Sequence, residues 1–168
     1  WRLRLALGRA WLGHGPLGVI AREGRQAGME EADLVYGETL PGTACDLLRA
    51  LQVGPQDTVV DLGCGRGVVP LVAGLVLGAR AVGLDALSGY VQRASACARS
   101  LGLERVRFLQ ADFRTAELPR GTVYFLAGTT LEPASWTAVA RNLARSARPG
   151  SRAASLSQPL PEAEWEAL

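Results

Sequence analysis

The feature that most constrains the fold is a β-branched run followed by a glycine-rich turn and an apolar segment of helical length. Thr58–Leu62 leads into the turn Gly63–Gly67, of sequence G-C-G-R-G, and then into Val68–Leu77. Nearly continuous apolar runs of this length are typical of parallel strands buried on both faces. Glycines let the chain turn sharply and let a ligand approach the backbone, and the next helix begins with unpaired N–H groups. The pattern predicts a strand–turn–helix unit with a nucleotide-like ligand above the carboxyl end of the strand.

The glycine spacing bears on which ligand this turn accepts. The dinucleotide fingerprint is G-x-G-x-x-G, with the pyrophosphate at the helix N-terminus, whereas this turn follows G-x-G-x-G. Asp61, just before it, would repel a pyrophosphate but can hold an ammonium group directly or through water. D-x-G-x-G-x-G resembles the first motif of class I S-adenosylmethionine-dependent methyltransferases, whose ligand carries an amino acid and no phosphate. The resemblance implies that this cofactor contacts Asp61, Gly63, Cys64, Gly65 and Gly67. A glycine turn in an unrelated α/β domain is the alternative.

Two further acids follow predicted strands. The strand 79–84 ends at Asp85, whose carboxylate is matched to the paired hydroxyls of a ribose; capping of the next helix is the alternative role. The strand 105–110 is followed by Asp112 and Phe113. This pair resembles the methyltransferase element that receives adenine, which implies that Asp112 accepts from the exocyclic amine and that Phe113 flanks the ring.

The loop Tyr36-Gly-Glu-Thr lies ahead of a predicted helix, 43–51, that Thr43 is expected to cap. The loop resembles the one preceding the first motif in disruptor-of-telomeric-silencing-type histone lysine methyltransferases and their bacterial relatives, where it folds over the methionine end of the cofactor. The resemblance implies cofactor contacts from Tyr36, Glu38 and Thr39. An ordinary helix-entry loop with a packed tyrosine is the alternative.

The segment after the predicted fourth strand, 121–126, is where methyltransferases place their substrate-facing motif. Amine-modifying families often carry Asn-Pro-Pro-aromatic or Asn-Asn-Phe there, and this chain has Ala127–Leu131 instead. The departure leaves catalytic competence open. Thr129 and Thr130, together with Glu38, are the candidates for a catalytic role, and plain turn residues before a helix at Glu132-Pro133 are the alternative.

The whole pattern predicts an α/β, Rossmann-like, doubly wound and mainly parallel sheet, with the last two strands of the class I sheet absent or minimised. We expect an N-terminal helical extension over 1–35, with one short helix at about 3–12. The S-adenosylmethionine-binding methyltransferase domain is expected over 36–158 and a tail over 159–168.

Composition limits the partners. The chain has 168 residues, 48% of them hydrophobic, and a formal charge of +2, so one domain with a real core is expected and an obligate nucleic-acid binder is not indicated. Three widely spaced cysteines predict neither a disulfide framework nor a metal site, and no apolar run is long enough to cross a membrane. We therefore expect a cytoplasmic protein without metal or membrane partner.

The expected reaction is methyl transfer from S-adenosylmethionine, with S-adenosylhomocysteine as product, to an amine of a protein acceptor of the lysine type. A small-molecule or RNA methyltransferase and an inactive S-adenosylmethionine-binding adaptor are the alternatives. A nicotinamide-dependent oxidoreductase is a rival from another class, which Asp61 and the glycine spacing argue against.

Overall fold

The structure is a computed structural model that describes residues 1–13, 15–24, 37–129 and 131–160. A five-stranded parallel sheet lies at its centre, in the order β3-β2-β1-β4-β5. The strands are β1 (Thr58–Leu62), β2 (Arg80–Asp85), β3 (Val106–Gln110), β4 (Val123–Leu126) and β5 (Arg152–Ser155). The Rossmann-like doubly wound α/β fold expected from the sequence is confirmed, and the described residues contain no strand beyond these five.

Six helices accompany the sheet in the described part of the chain: α1 (Arg2–Ala10), α2 (Pro16–Glu23), α3 (Pro41–Ala50), α4 (Val68–Leu77), α5 (Ser88–Leu101) and α6 (Pro133–Ser146). None of these six is long and apolar enough to cross a membrane.

Two helices differ from the expectation. The N-terminal segment holds a second helix, α2, because Gly15 takes an extended conformation and Pro16 follows at the first helical position, where its fixed φ suits a helix start. Helix α3 begins at Pro41 for the same reason, with Leu40 as its N-cap. The cap expected from Thr43 is therefore wrong, since Thr43 already lies inside the helix.

The core is divided by the sheet into two clusters. Successive side chains of a strand point to opposite faces, so Val59 packs in one cluster while Val60 and Leu62 pack in the other. The first cluster also contains residues of α1 and α2, among them Leu7 and Val19. The N-terminal helices therefore share a core with the sheet.

A polar clamp ties the edge strand β5 to the loop before β1. The Asp57 carboxylate accepts hydrogen bonds from Gly54 N at 2.8 Å, Thr122 Oγ1 at 2.6 Å and Arg152 Nη2 at 2.5 Å. Arg152 also donates to the carbonyl oxygen of Leu51. Burial raises the pKa of Asp57, but the hydrogen bonds and the Arg152 charge outweigh it and hold the pKa below its usual value of 3.8.

We expect Asp57→Asn to lower the free energy of unfolding at pH 7 by about 1 kcal/mol, because the charge-assisted bonds become neutral ones. A carboxyl whose pKa is lowered on folding stabilises the protein above its unfolded pKa and loses that effect as pH falls through the folded pKa. The difference in Tm between variant and wild type should therefore shrink below about pH 4. Asp46→Asn, on the exposed side of α3, is the control. A Tm difference that is the same from pH 7 to pH 3 would contradict the assignment.

Candidate functional site

The glycine turn after β1 has a backbone that few other residues can adopt. Gly63, Gly65 and Gly67 have φ of 77°, 50° and 78°, in the left-handed region where a Cβ is strained. The carbonyl oxygen of Leu84, in β2, accepts hydrogen bonds from Gly63 N at 2.9 Å and Cys64 N at 2.8 Å. The turn is thus fixed against the neighbouring strand, with its backbone facing the space above the sheet.

These glycines also meet the core. A Cβ at Gly63 would lie 3.1 Å from Cε1 of Phe113, and one at Gly67 would lie 2.6 Å from Cε1 of Phe108. At Gly67 a side chain is therefore opposed by packing under the turn as well as by the backbone conformation, and at Gly63 it would displace the Phe113 ring slightly. Gly67 ends the turn against α5 and β3 and does not line the space above it.

A cleft opens above the carboxyl ends of β1 and β4. Six residues expected from the sequence to bind a cofactor lie together on its wall: Glu38, Thr39, Asp61, Gly63, Cys64 and Gly65. Six further residues line it: Gly37, Arg66, Val68, Val69, Phe125 and Ala127. All but Phe125 belong to the loop, turn, helix and substrate-facing segments identified from the sequence, without a role assigned to them individually. Phe125 carries no signal of its own, and its place follows from the pairing of β4 with β1.

Asp61 is the most buried acid of this cleft. Its side chain is 3% exposed, and no described residue donates a hydrogen bond to it. Burial, followed by the nearby charge of Asp85, raises the pKa of Asp61 well above its usual value. A carboxylate in this position is stabilised by a cation in the cleft, because the cation restores the favourable interactions that water no longer gives.

Asp85, at the end of β2, connects the glycine turn to the start of α5. Its Oδ2 accepts from Gly65 N at 2.8 Å and its Oδ1 from Leu87 N at 2.9 Å. Burial raises the pKa of Asp85 to about 6; the two hydrogen bonds act in the opposite direction and the charge of Glu23 in the same one. Each carboxylate oxygen has more than one acceptor position, so the backbone contacts leave room for hydroxyl donors.

Asp112, after β3, is held by a neighbouring arginine. The guanidinium of Arg114 donates to both carboxylate oxygens, at 2.9 to 3.1 Å, and also reaches Ser135 Oγ at 3.3 Å. Burial raises the pKa of Asp112, but the Arg114 bonds and charge prevail and keep it below its usual value. Asp112 is therefore an ionised acceptor in a fixed orientation. Phe113 is buried beneath the turn, with its ring toward Gly63.

The loop before α3 reaches over the cleft. Glu38 forms an ion pair with Arg66 of the glycine turn, with 3.1 Å between Oε1 and Nη1. On the other side, Thr129 approaches Gly37 so closely that a Cβ there would lie 2.6 Å from Thr129 Oγ1. Two expected site residues, Tyr36 and Thr130, lie outside the described residues. The cleft is thus bounded by the loop, the turn and the segment after β4.

Comparison with protein families gives the class of this site. A family described as a methyltransferase domain matches residues 59–150, which is more than half of the chain and includes β1 from Val59 onward, the glycine turn and both later acids. The chain belongs to the methyltransferase domain family. The prediction of a class I S-adenosylmethionine-dependent methyltransferase is confirmed, and the sheet order and glycine turn described above are those of a methyltransferase domain.

Solved structures similar to this methyltransferase domain differ in their substrates. An RNA methyltransferase from Salinibacter ruber, in complex with S-adenosyl-L-homocysteine, is 28% identical, with a TM-score of 0.65 and coverage of 71% of this chain and 76% of that one. A SAM-dependent methyltransferase from Geobacter sulfurreducens, also with S-adenosyl-L-homocysteine, is 26% identical, with a TM-score of 0.57 and coverage of 71% and 50%. A geranyl diphosphate methyltransferase, in complex with its substrate and sinefungin, is 26% identical, with a TM-score of 0.60 and coverage of 68% and 44%.

This chain therefore spans about half the length of two of these three structures. No curated protein matches it at a significant level. The enzymes named above act on RNA or geranyl diphosphate, or have no stated acceptor. The resemblance of the loop 36–39 to histone lysine methyltransferases is not supported by them.

Proposed function

We propose that the chain binds S-adenosylmethionine in the cleft above β1 and transfers its methyl group to an acceptor, with a protein amine as the first candidate and RNA or a small molecule as the alternatives. The observation that carries this proposal is Asp61, a buried carboxylate on the cleft wall to which no described residue donates. The amino-acid end of S-adenosylmethionine is the cationic group that such a carboxylate would hold. The same cleft in a nicotinamide enzyme would receive a pyrophosphate, which Asp61 would repel.

The surrounding residues fit the rest of this cofactor. Gly63 and Gly65 leave the backbone open where the ligand would lie, and no side chain projects from them into the cleft. The carboxyl ends of β1, β2 and β3 are neighbours in the sheet, so Asp61, Asp85 and Asp112 follow one another along its edge. In this order they would receive the ammonium group, the ribose hydroxyls and the adenine amine.

The cofactor supplies a methyl group already activated on a sulfonium, so the protein need only align the acceptor and exclude water. Among the described residues of the cleft, the carboxylate of the loop, Glu38, is paired with Arg66. The Glu38 carboxylate is thus already engaged by a guanidinium, and we assign it no catalytic role. The site suits an acceptor atom that already has a free lone pair. It also suits an amine whose pKa falls on desolvation beside the cofactor, because such an amine loses its proton without a base.

Candidates for the acceptor follow from the sequence, from surface charge and from the similar structures. A protein amine of the lysine type is the acceptor expected from the sequence, and none of the similar structures named above is an enzyme of that kind. RNA is the second candidate, supported by the similarity to an RNA methyltransferase and by the exposed Arg2, Arg4 and Arg9 of α1. A chain that binds the cofactor without transferring its methyl group would instead be an adaptor.

Calorimetric titration with S-adenosylmethionine, S-adenosylhomocysteine and NAD tests the cofactor. We expect the first two to bind and NAD to give no heat; binding of NAD alone would overturn the proposal. Transfer of a labelled methyl group is then followed with lysine-containing peptides, tRNA and small amines as separate acceptors. Label on tRNA that decreases steeply with salt would select RNA, and label on the peptides would select a protein amine. Cofactor binding with no label on any class of acceptor would favour the adaptor.

We expect Asp61→Asn to have opposite effects on stability and binding. A carboxyl with a raised folded pKa is a source of stability only below its unfolded pKa, and it opposes folding as pH rises through the folded value. The variant should therefore raise the Tm of the free protein at pH 7 and weaken S-adenosylmethionine binding about tenfold or more, the loss of a charged partner. Thermal melting and calorimetry measure both, with Asp46→Asn as control. A variant that binds as tightly as wild type would show that Asp61 does not hold the cofactor.

A further inference from the structure

The start of helix α5 lacks a cap from its own sequence. The residue at its N-cap position is Leu87, whose side chain cannot accept a hydrogen bond. The first amides of a helix need acceptors from outside the helix. Asp85 satisfies the amide of Leu87, and the amide of Gly89 remains for another group.

That group comes from the N-terminal helices. Glu23, the last residue of α2, accepts from Gly89 N at 3.0 Å and from Ser88 Oγ at 2.9 Å, through the same oxygen, Oε2. The two segments are 65 positions apart in the chain. A carboxylate at a helix N-terminus is also favoured by the helix dipole. Glu23 thus caps α5 from a distant part of the sequence.

The fit between α2 and α5 is close and involves more than this carboxylate. A Cβ at Gly89 would lie 2.6 Å from Glu23 Oε1 and 2.9 Å from Val19 Cγ1. The next residue, Tyr90, donates from its hydroxyl to Pro16 O at 3.1 Å, and its ring lies 5.4 Å from that of Trp11. The first turn of α5 is therefore held by α1 and α2 together.

The same turn of helix sets the position of Asp85. The chain runs from Asp85 to Gly89 in four residues, and the carboxylate of Asp85 bonds the amide of Leu87 within this stretch and the amide of Gly65 in the glycine turn. We propose that Glu23 is a positioning residue for Asp85, and that α2 is for this reason part of the nucleoside half of the cofactor site. The cofactor contact of Asp85 rests on the proposed function; the positioning by Glu23 does not.

Amide hydrogen exchange in the free protein tests the positioning directly. In Glu23→Ala we expect faster exchange at Gly89, and also at Leu87 and Gly65, whose amides Asp85 accepts. The matched control is Glu104→Ala, which changes an exposed acid before β3 and should leave these amides unchanged. Faster exchange at Gly89 alone, with Leu87 and Gly65 as in wild type, would overturn the proposal, because the cap would then be local.

Affinity and its pH dependence give a second test. Glu23→Ala should weaken S-adenosylhomocysteine binding about 3- to 10-fold at pH 7.5, the effect of losing one cap. Glu23→Gln keeps an acceptor oxygen and should bind nearly as tightly as wild type there. In the wild type, affinity should decrease below about pH 6, as Asp85 becomes protonated.

The two variants separate charge from structure. The groups that act on Asp85 from the elements around it are Glu23 on α2, Asp61 on β1 and Cys64 in the glycine turn. Since Glu23→Gln removes one negative charge and leaves the others, the decrease in affinity should move to lower pH, and Glu104→Gln should not move it. If both Glu23 variants bind with the affinity and pH profile of wild type, the positioning role is wrong. If wild type itself does not bind, the proposed function fails while the exchange experiment still decides the role of Glu23.

Discussion

Gly67→Ala is expected to lower the free energy of unfolding by about 2–5 kcal/mol. The left-handed conformation of Gly67, with φ of 78°, costs an alanine about 1–2 kcal/mol, and overpacking in a full core adds about 1–3 kcal/mol. The added methyl would lie 2.6 Å from Phe108 Cε1 and 2.9 Å from Ala94 Cβ. These neighbours come from β3 and α5, so no single side-chain movement relieves both contacts.

Gly102→Ala is the control for this variant. Gly102 has a similar φ, 70°, but no atom within 4 Å of the position of a Cβ. It should therefore show the conformational cost alone. Chemical denaturation of wild type and both variants gives the two free energies, and their difference isolates the packing beneath the turn. An equal decrease in the free energy of unfolding in the two variants would show that Phe108 and Ala94 move away from the added methyl at no cost. Packing would then not restrict the turn.

Asp85→Ala is expected to weaken the binding of S-adenosylmethionine and S-adenosylhomocysteine by about 1–3 kcal/mol, or roughly 5- to 150-fold. Two effects combine in this variant. The ribose hydroxyls lose their acceptor, and the amides of Gly65 and Leu87, which Asp85 now satisfies at 2.8 and 2.9 Å, are left without it. Because Asp85 is 8% exposed, water replaces it poorly. The free protein should therefore also become less stable.

Calorimetry on the variant, checked for folding by circular dichroism, measures the loss of affinity. Asp46→Ala removes a carboxylate of the same size from an exposed position on α3 and should change neither property. An affinity for S-adenosylhomocysteine within a factor of about two of wild type, a difference near 0.4 kcal/mol, would remove Asp85 from the ribose site.

The sheet was predictable because its signals are local and repeated. The three central strands β2, β1 and β4 are short and largely apolar, and the ends of β1 and β2 are marked by glycine or by an acid such as Asp61 or Asp85. Since the carboxyl ends of parallel strands meet at one edge, the order of these acids along the chain was enough to bring them together. In the structure Asp61 lines the cleft and Asp85, at the end of β2, lies beside the glycine turn.

Contacts between distant segments were not predictable in the same way. Glu23 has no sequence signal that relates it to Ser88, because a carboxylate 65 positions away caps a helix only after both helices have packed. The pairing of Glu38 with Arg66 is of the same kind. Helix α2 was missed because it is short, with only eight residues, while Pro16 at its start was a usable indication.

The strand order has a consequence for how the chain reaches its native state. β1 pairs on one side with β2, where Val59 meets Ala81, and on the other with β4, where Val59 meets Val123. The second pairing closes a much longer loop, and such contacts form late and slowly. A chain in which β1 to β3 have already assembled would hold the glycine turn in place but would lack the wall that Phe125 and Ala127 provide. We therefore expect the cofactor to bind only after the last slow pairing, so that its presence would retard unfolding while leaving the rate of folding almost unchanged.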